Sequence, residues 1–222
     1  MPKTNKKLTN YNRRHSSDYG FWRTLYITWF LYFVVWPAAI FFYNIKVEGR
    51  GNIKDNERYI FTANHRSYID PPLISLAANR PVAYMAKEEL FTSKNALLRF
   101  LVTSLGAFAV NREKPELATF KTIKDIISKT KWSLGVFPQG KICLEPELCI
   151  EKGFVAIAKS AQADIVPIAI CGFDGYAKKL FEKNITLKIG KPIPYNLEND
   201  AIIEQWTDFI SKEAGYKQAV KV

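Results

Sequence analysis

The chain has 222 residues, of which 48% are hydrophobic and 24% charged, a composition that excludes a disordered chain and a bare coiled coil. Lysine and arginine outnumber aspartate and glutamate by 32 to 21, and the formal net charge of +11 indicates an anionic partner: nucleic acid, a membrane surface, a phosphorylated substrate or an acidic carrier protein. The three cysteines form no C-x-x-C pair, and because their number is odd they cannot form a closed disulfide framework, so the reducing cytosol is favoured.

The first 43 residues combine a basic tail with an apolar segment. Residues 1–24 contain six basic residues and one acidic residue, and residues 25–43 contain no charge. The apolar segment is borderline for one helical membrane crossing, which needs roughly 20 residues. Aromatic residues recur at helical spacing on one face: Trp22, Tyr26, Trp29, Phe33 and Trp36. Tryptophan and tyrosine favour the lipid headgroup layer, so this stripe predicts an amphipathic membrane anchor; the alternative is that it packs on the protein's own core.

Pro37 determines how we expect this anchor to fold. Proline lacks an N–H and disfavours helix at the preceding residue, which predicts two short helices that dip into one leaflet. A single crossing would place residues 44–222 outside the cell, because basic tails stay in the cytoplasm. We therefore predict a monotopic protein on the cytoplasmic face of the inner (plasma) membrane. Residues 1–43 are the predicted anchor and residues 44–222 the predicted catalytic domain.

Short apolar runs alternate with amphipathic stretches in the rest of the chain. The predicted strands are 44–48, 58–63, 82–86, 107–111, 133–137, 165–171 and 185–190. The predicted helices are 71–79, 95–104, 115–130, 152–162 and 199–214. This alternation predicts an α/β domain with a mixed, largely parallel sheet flanked by helices.

His65 follows the second predicted strand, and Asp70 lies five residues later, just before Pro71. Open α/β sheets bind ligands at the carboxyl ends of their strands. A turn between the two residues would bring the carboxylate to imidazole Nδ1 and leave Nε2 free to deprotonate a substrate hydroxyl. The pair alone is a weak signal, because Asp70 before Pro71 is also a good helix N-cap. With only two histidines, imidazole ligation of a metal is not expected.

Four sequence blocks accompany this pair in a fixed order. They are Asn-His-Arg-Ser-x-x-Asp from residue 64, Gly-Ala-Phe-Ala-Val-Asn-Arg from 106, Phe-Pro-Gln-Gly from 137 and Val-Pro-Ile from 166. The series resembles the glycerolipid acyltransferase family, whose bacterial type is 1-acylglycerol-3-phosphate acyltransferase. The resemblance covers about residues 44–195, and it implies that His65 is the catalytic base and that Asp70 orients it.

The resemblance also implies a set of substrate-binding residues. Arg112 would bind the phosphate of the acceptor, Lys87 would lie near that phosphate, and Pro167 would line the acyl side. The other predicted substrate-binding residues belong to the first and third blocks: Arg66, Gln139, Gly140 and Lys141. The turn formed by 137–140 is a candidate source of hydrogen-bond donors for an oxyanion. The alternatives are ordinary structural roles, such as a surface arginine, a turn glycine, an edge-strand proline and a solvated lysine.

The third block departs from the family's usual Phe-Pro-Glu-Gly-Thr-Arg-Ser. Gln139 replaces the glutamate, and Ile142 stands where an acceptor-binding arginine is expected. Lys141 is one place away and is a point charge, where arginine offers a bidentate fork. The acyl-transfer pair is intact, so the departure affects the identity of the acceptor.

The resemblance implies a fatty acyl transfer from acyl-CoA or acyl carrier protein to the hydroxyl of a lysolipid, without a metal or cofactor. The expected acceptor is 1-acyl-sn-glycerol-3-phosphate, and the alternative is another hydroxyl, on a glycolipid, an aminolipid or a terpenoid sugar. A non-enzymatic basic protein that binds membranes or nucleic acid is an alternative of another class. Nucleic-acid binding is not expected, because eleven aromatic residues lie within 21–43 and are not interleaved with basic residues on the domain.

Overall fold

A mixed sheet forms the centre of the molecule. The computed structural model describes residues 14–110, 117–172 and 184–221, without the side chains of 218–221. In these ranges the strands of the main sheet are β1 (Lys46–Glu48), β2 (Ile60–Ala63), β3 (Val82–Lys87), β4 (Phe108–Val110), β5 (Ser133–Val136), β7 (Ile165–Cys171) and β8 (Thr186–Ile189). Their order is β1-β8-β7-β2-β5-β3-β4, and every neighbouring pair is parallel except β7 and β8. A second, parallel pair consists of β6 (Glu147–Ile150) and β9 (Lys217–Lys221).

Helices cover both faces of this sheet. They are α1 (Phe21–Phe30), α2 (Trp36–Tyr43), α3 (Asp70–Ala78), α4 (Glu88–Phe91), α5 (Ala96–Ser104), α6 (Leu117–Lys129), α7 (Gly153–Ala161) and α8 (Asn199–Ala214). One hydrophobic cluster joins the sheet to α6, α7 and α8, and a second joins it to α2 and α3. Neighbouring residues of β2 face opposite clusters, Ile60 the first and Phe61 the second. The predicted mixed, largely parallel sheet flanked by helices is confirmed.

Three elements of the structure are not among the predicted ones. Strands β6 and β9 are short, and each carries charged residues, so neither has the apolar run that marks a buried strand. They pair across about 70 residues of sequence, a contact that no local pattern encodes. The third element, α4, is a single turn that follows directly after β3.

The predicted break at Pro37 is wrong, because the chain stays helical from Phe21 to Tyr43. A π-helical turn at Leu31–Val35 joins α1 to α2, and the N–H of Trp36 bonds to the carbonyl of Leu31. Pro37 lies in the first turn of α2 and has no N–H to donate to a carbonyl of the preceding turn. The wider turn just before the proline therefore replaces the expected break.

The aromatic stripe of this segment is divided between solvent and core. Trp22, Trp29 and Phe33 are exposed, whereas Tyr26 and Trp36 are half-buried and pack against the two hydrophobic clusters. By length and composition the segment Phe21–Tyr43 is a candidate membrane span, and little of it is buried inside the protein. The core interpretation therefore holds for Tyr26 and Trp36, and membrane contact stays a prediction for the exposed residues of the stripe.

Gly135 offers a test of the packing that supports α3. It lies opposite Tyr84 in the β3–β5 register, and a Cβ at this position would overlap the buried Tyr84 ring. We expect Gly135→Ala to cost about 1–3 kcal/mol of unfolding free energy, as overpacked cores do, and to lower Tm by several degrees. Gly51→Ala is the matched control, because a Cβ at Gly51 would meet no atom within 4 Å. Equal thermal unfolding curves for the two variants would contradict this account of the packing.

Candidate active site

Residues of the predicted site lie at the carboxyl ends of four neighbouring parallel strands. His65 follows β2, Phe137 and Gln139 follow β5, and Lys87 ends β3. Val110 ends β4, beside Lys87 in the strand register. Arg112, the predicted phosphate ligand, lies outside the described residues. The sheet order thus brings the first and third blocks side by side, because β2 and β5 are neighbours.

His65 and Asp70 form the predicted contact. The distance between His65 Nδ1 and Asp70 Oδ2 is 2.8 Å, and Asp70 is fully buried. The same oxygen accepts the backbone N–H groups of Arg66 at 2.6 Å and Ser67 at 2.7 Å. An oxygen that accepts two N–H groups is an acceptor toward the imidazole as well, so Nδ1 carries the proton. His65 Nε2 is then the unprotonated nitrogen of this ring.

Asp70 is held by the start of α3. It is the first residue of that helix, and Pro71 follows it with a fixed φ that suits a first turn. A negative charge at this end is stabilised by the helix dipole. The carboxylate forms no capping bond to this helix, whose N-cap is Ile69, so its hydrogen bonds go to the preceding turn and to His65.

Aromatic packing fixes the imidazole plane. The His65 ring stacks on Phe137 with centroids 4.0 Å apart and an interplanar angle of 18°, and Phe137 in turn stacks on Tyr84 at 6.0 Å. The Tyr84 hydroxyl donates to the carbonyl of Pro71 at 2.7 Å. Burial raises the pKa of this phenol far above its ordinary value, so it remains a donor. Tyr84 thereby links the ring stack to the helix that carries Asp70.

Gln139 supports His65 from the opposite side, through the main chain. Its Oε1 accepts the backbone N–H of His65 at 2.6 Å, and the side chain is 3% exposed. Because His65 N is a donor, the atom facing it must be Oε1, and Nε2 points elsewhere. Within the described residues Nε2 is buried and has no hydrogen-bond partner. The sequence identified Gln139 as a departure from the family pattern but not as a partner of His65, since that contact depends on β2 lying beside β5.

The turn at 137–140 offers fewer oxyanion donors than the sequence predicts. The N–H of Gly140 is already bonded to the carbonyl of Phe137 at 2.9 Å, and Pro138 has no N–H. Gly140 has a φ of +68°, and a Cβ there would overlap the Glu151 carboxylate, so a glycine is required. Gln139 Nε2 is a buried donor of this turn that has no hydrogen-bond partner among the described residues.

An apolar cavity of about 270 Å³ opens beside this turn. Phe137, Pro138 and Gly140 form one wall. The opposite walls come from α6, α7 and the ends of β3 and β4, with Ile123, Phe154, Ile157, Met85 and Val110 among the lining residues. Because Phe137 contacts both the cavity and the His65 ring, an apolar chain in the cavity would end near the imidazole.

Three predicted substrate-binding residues lie elsewhere. Arg66 Nη1 donates to the carbonyls of the 143–145 loop and to the Tyr216 hydroxyl, at 3.3–3.4 Å, so its guanidinium braces that loop. Pro167 is buried in the sheet between β2 and β8, against Gly190, and does not line the apolar cavity. Its role on the acyl side stays a prediction, and the alternative of an edge-strand proline is wrong, because β7 lies inside the sheet. Lys141 is exposed on the loop beyond Gly140.

Asn64 has a role that the sequence did not predict. Its side chain donates to the carbonyl of Ile170 at 3.0 Å and accepts the N–H of Ile170 at 2.8 Å. This pair of bonds extends the β2–β7 contact by one residue, directly before His65. A buried asparagine at the end of an apolar strand is the signal that could have indicated it.

Comparison with known proteins identifies the family. A model of the acyltransferase family matches residues 44–171. A 1-acyl-sn-glycerol-3-phosphate acyltransferase of Streptococcus pneumoniae is 30% identical over 139 residues, which are 62% of this chain and 51% of that protein. The enzyme of the same name from Bacillus subtilis is 29% identical over 153 residues, 67% of this chain and 73% of that protein. The chain thus spans about half the length of the first relative.

A solved structure shares the fold. The 1-acyl-sn-glycerophosphate acyltransferase PlsC from Thermotoga maritima aligns with 86% of this chain and 97% of its own, with a TM-score of 0.60 at 19% sequence identity. The family model covers more than half of the chain, including both His65 and the 137–140 turn. The protein belongs to the acyltransferase family.

Proposed function

We propose that this protein transfers a fatty acyl group from a thioester donor to the hydroxyl of a lysolipid. The observation that carries the proposal is the buried Asp70 carboxylate, 2.8 Å from His65 Nδ1, beside an apolar cavity at the same edge of the sheet. The names of the two bacterial relatives support 1-acyl-sn-glycerol-3-phosphate as the acceptor and phosphatidic acid as the product. The donor would be acyl-CoA or acyl carrier protein.

The proposed chemistry uses one base. His65 Nε2 removes the proton of the lysolipid hydroxyl, and the alkoxide oxygen attacks the thioester carbonyl. Asp70 stabilises the imidazolium that forms, and Gln139 Nε2 is the candidate donor to the developing oxyanion. The carbon–sulfur bond then breaks, the ester forms, and the imidazolium returns its proton to the leaving thiolate. The residues required for this cycle all come from the ends of β2 and β5 and from the start of α3.

The two substrates would approach the imidazole from different sides. The apolar cavity beside Phe137 suits an acyl chain, because its walls are almost entirely hydrocarbon. The acceptor phosphate would meet positive charge from Lys87 at the end of β3 and from Arg112, two residues beyond the end of β4. Lys141 could reach the same phosphate, since it is exposed on the neighbouring loop.

We further propose that the protein binds the cytoplasmic face of the inner (plasma) membrane. The helical segment Phe21–Tyr43 would serve as the anchor, with the acyltransferase domain in residues 44–222. Its exposed aromatic residues and the basic tail before it support contact with anionic headgroups. A lysolipid would then reach His65 from the leaflet, and the thioester donor would arrive from the cytosol.

The sequence of the third block bears on which acceptor the protein uses. Gln139 and Ile142 remove two charges that the family pattern carries there, which favours an acceptor other than lysophosphatidic acid as the second candidate. If these residues shift the preference, the Gln139→Glu, Ile142→Arg double variant should favour lysophosphatidic acid over neutral lysolipids more than the wild type does, although loss of the proposed Gln139 amide donor lowers its turnover on every acceptor. A charge-assisted hydrogen bond contributes about 1.5–3 kcal/mol, so the ratio of kcat/KM values should rise at least about tenfold.

An acceptor panel with one labelled acyl donor measures this ratio. The panel contains lysophosphatidic acid, a neutral lysolipid and a glycolipid, and Gln139→Glu alone separates the effect of the amide from that of Ile142. A wild-type protein that already prefers lysophosphatidic acid strongly would remove the support for a shifted acceptor. It would leave the acyl transfer itself unaffected.

A further inference from the structure

Helix α5 has an apolar side that no described element covers. None of its residues is buried, and Leu97 and Phe100 are 66% and 59% exposed. Residues three apart lie on the same side of a helix, so these two side chains form one surface. The opposite side carries Val102, which packs against the hydrophobic cluster that includes α3. The helix is therefore seated on the domain by one side and presents hydrocarbon on the other.

The end of α5 is tied to the start of the anchor segment. The carbonyl of Thr103, in the last turn of α5, accepts Arg14 Nη2 at 2.9 Å and Arg23 Nη1 at 3.0 Å. Arg23 belongs to α1, and its neighbour Trp22 is 78% exposed. The last turn of α5 is thus bonded to the first turn of α1 through Arg23.

The charge of this region favours a lipid surface over a protein partner. Residues 93–104 include Lys94 and Arg99 and no acidic residue. Basic side chains around exposed Leu and Phe are typical of helices that lie in the interface of an anionic membrane.

We propose that α5 is a second membrane-contacting element, which inserts Leu97 and Phe100 into an anionic bilayer beside α1. Because α4 and α5 connect β3 to β4, this contact would hold the edge of the sheet that carries Lys87 and Val110 at the membrane surface. The inference concerns a surface outside the anchor segment and does not depend on which acceptor the enzyme uses.

The test is the partition of the full-length protein onto vesicles of equal parts phosphatidylcholine and phosphatidylglycerol. Binding is followed by co-sedimentation over a lipid titration, with Leu97→Ser, Phe100→Ser and the double variant. Removing two inserted side chains of this size should lower the partition coefficient of the double variant at least about tenfold. Leu117→Ser is the matched control, because Leu117 is 89% exposed but starts α6, on the other face of the sheet. Its partition coefficient should equal that of the wild type.

Two results would overturn the proposal. One is an unchanged partition coefficient for the double variant, with a thermal unfolding curve in lipid-free buffer like that of the wild type. The other is a double variant that binds vesicles like the wild type but sediments without vesicles as a monomer where the wild type sediments as a dimer. That result would make α5 a contact between copies of the chain. Loss of acyl transfer in a variant that binds vesicles normally would bear on the proposed function and not on this surface.

Discussion

His65→Ala should lower kcat by roughly 10²–10⁴-fold, the range that a positioned general base contributes. The imidazole is the group whose Nδ1 is fixed by Asp70 and whose ring plane is fixed by Phe137, so no neighbouring side chain of the described site can replace it. The measurement is initial rate of thiol release from acyl-CoA in the presence of a lysolipid acceptor. Vesicle binding and Tm should stay close to those of the wild type.

The chain supplies its own control for this variant. His15 is the other histidine of the chain. It is exposed and precedes α1, whereas His65 follows β2. His15→Ala should therefore retain wild-type turnover. His65→Gln, which keeps more of the side-chain volume against Phe137, separates loss of the base from a gap under the ring. Near-normal turnover in both His65 variants would contradict the proposed mechanism.

Asp70→Asn should lower kcat at least about a hundredfold. The carboxylate oxygen Oδ2 accepts three hydrogen bonds, two of them from the main chain at Arg66 and Ser67. Asparagine can keep the oxygen, but it removes the charge that stabilises the imidazolium. A charge in the first turn of a helix contributes about 0.3–1 kcal/mol to stability, far less than a hundredfold loss of rate represents. The effect on turnover should thus exceed the effect on Tm.

Asp200→Asn is the matched control for the helix-start role. Asp200 also lies in the first turn of a helix, α8, and no histidine contacts it among the described residues. Asp70→Asn should lose more thermal stability than Asp200→Asn, because Asp70 is buried and accepts two main-chain N–H groups whereas Asp200 is exposed, and the loss of kcat should be confined to Asp70→Asn. If kcat of the Asp70→Asn protein stayed near that of the wild type under conditions where it is folded, Asp70 would stabilise the turn without serving the base.

The sequence predicted the parts of the fold that local patterns encode. The period of apolar residues located the helices α3, α5, α6, α7 and α8 and every strand of the main sheet, with ends that differ by one to a few residues. The contact between His65 and Asp70 was predictable for the same reason, since five residues and Pro71 determine the turn between them. These features depend on residues close together in the chain.

The features that the sequence did not predict depend on distant residues. The bond from His65 N to Gln139 joins residues 74 positions apart, and β6 meets β9 over a similar separation. The interaction of Arg66 with Tyr216 spans 150 positions, so the sequence alone does not indicate that this side chain also braces the 143–145 loop. The predicted helix break at Pro37 was wrong for a different reason. Backbone rules predict a break before a proline, but a π-helical turn keeps the chain helical there.

The central claim is that this protein moves an acyl group onto a lysolipid hydroxyl and that His65 is the base. The most direct measurement incubates the purified full-length protein with isotope-labelled acyl-CoA and vesicles containing several lysolipids, lysophosphatidic acid among them. Mass spectrometry then identifies the labelled products while the released thiol is counted. We predict one labelled diacyl lipid for each thiol released by the wild type, and at least about a hundredfold less of both products from His65→Ala. Thiol release that yields the label only as free fatty acid, at equal rates in both proteins, would contradict the account.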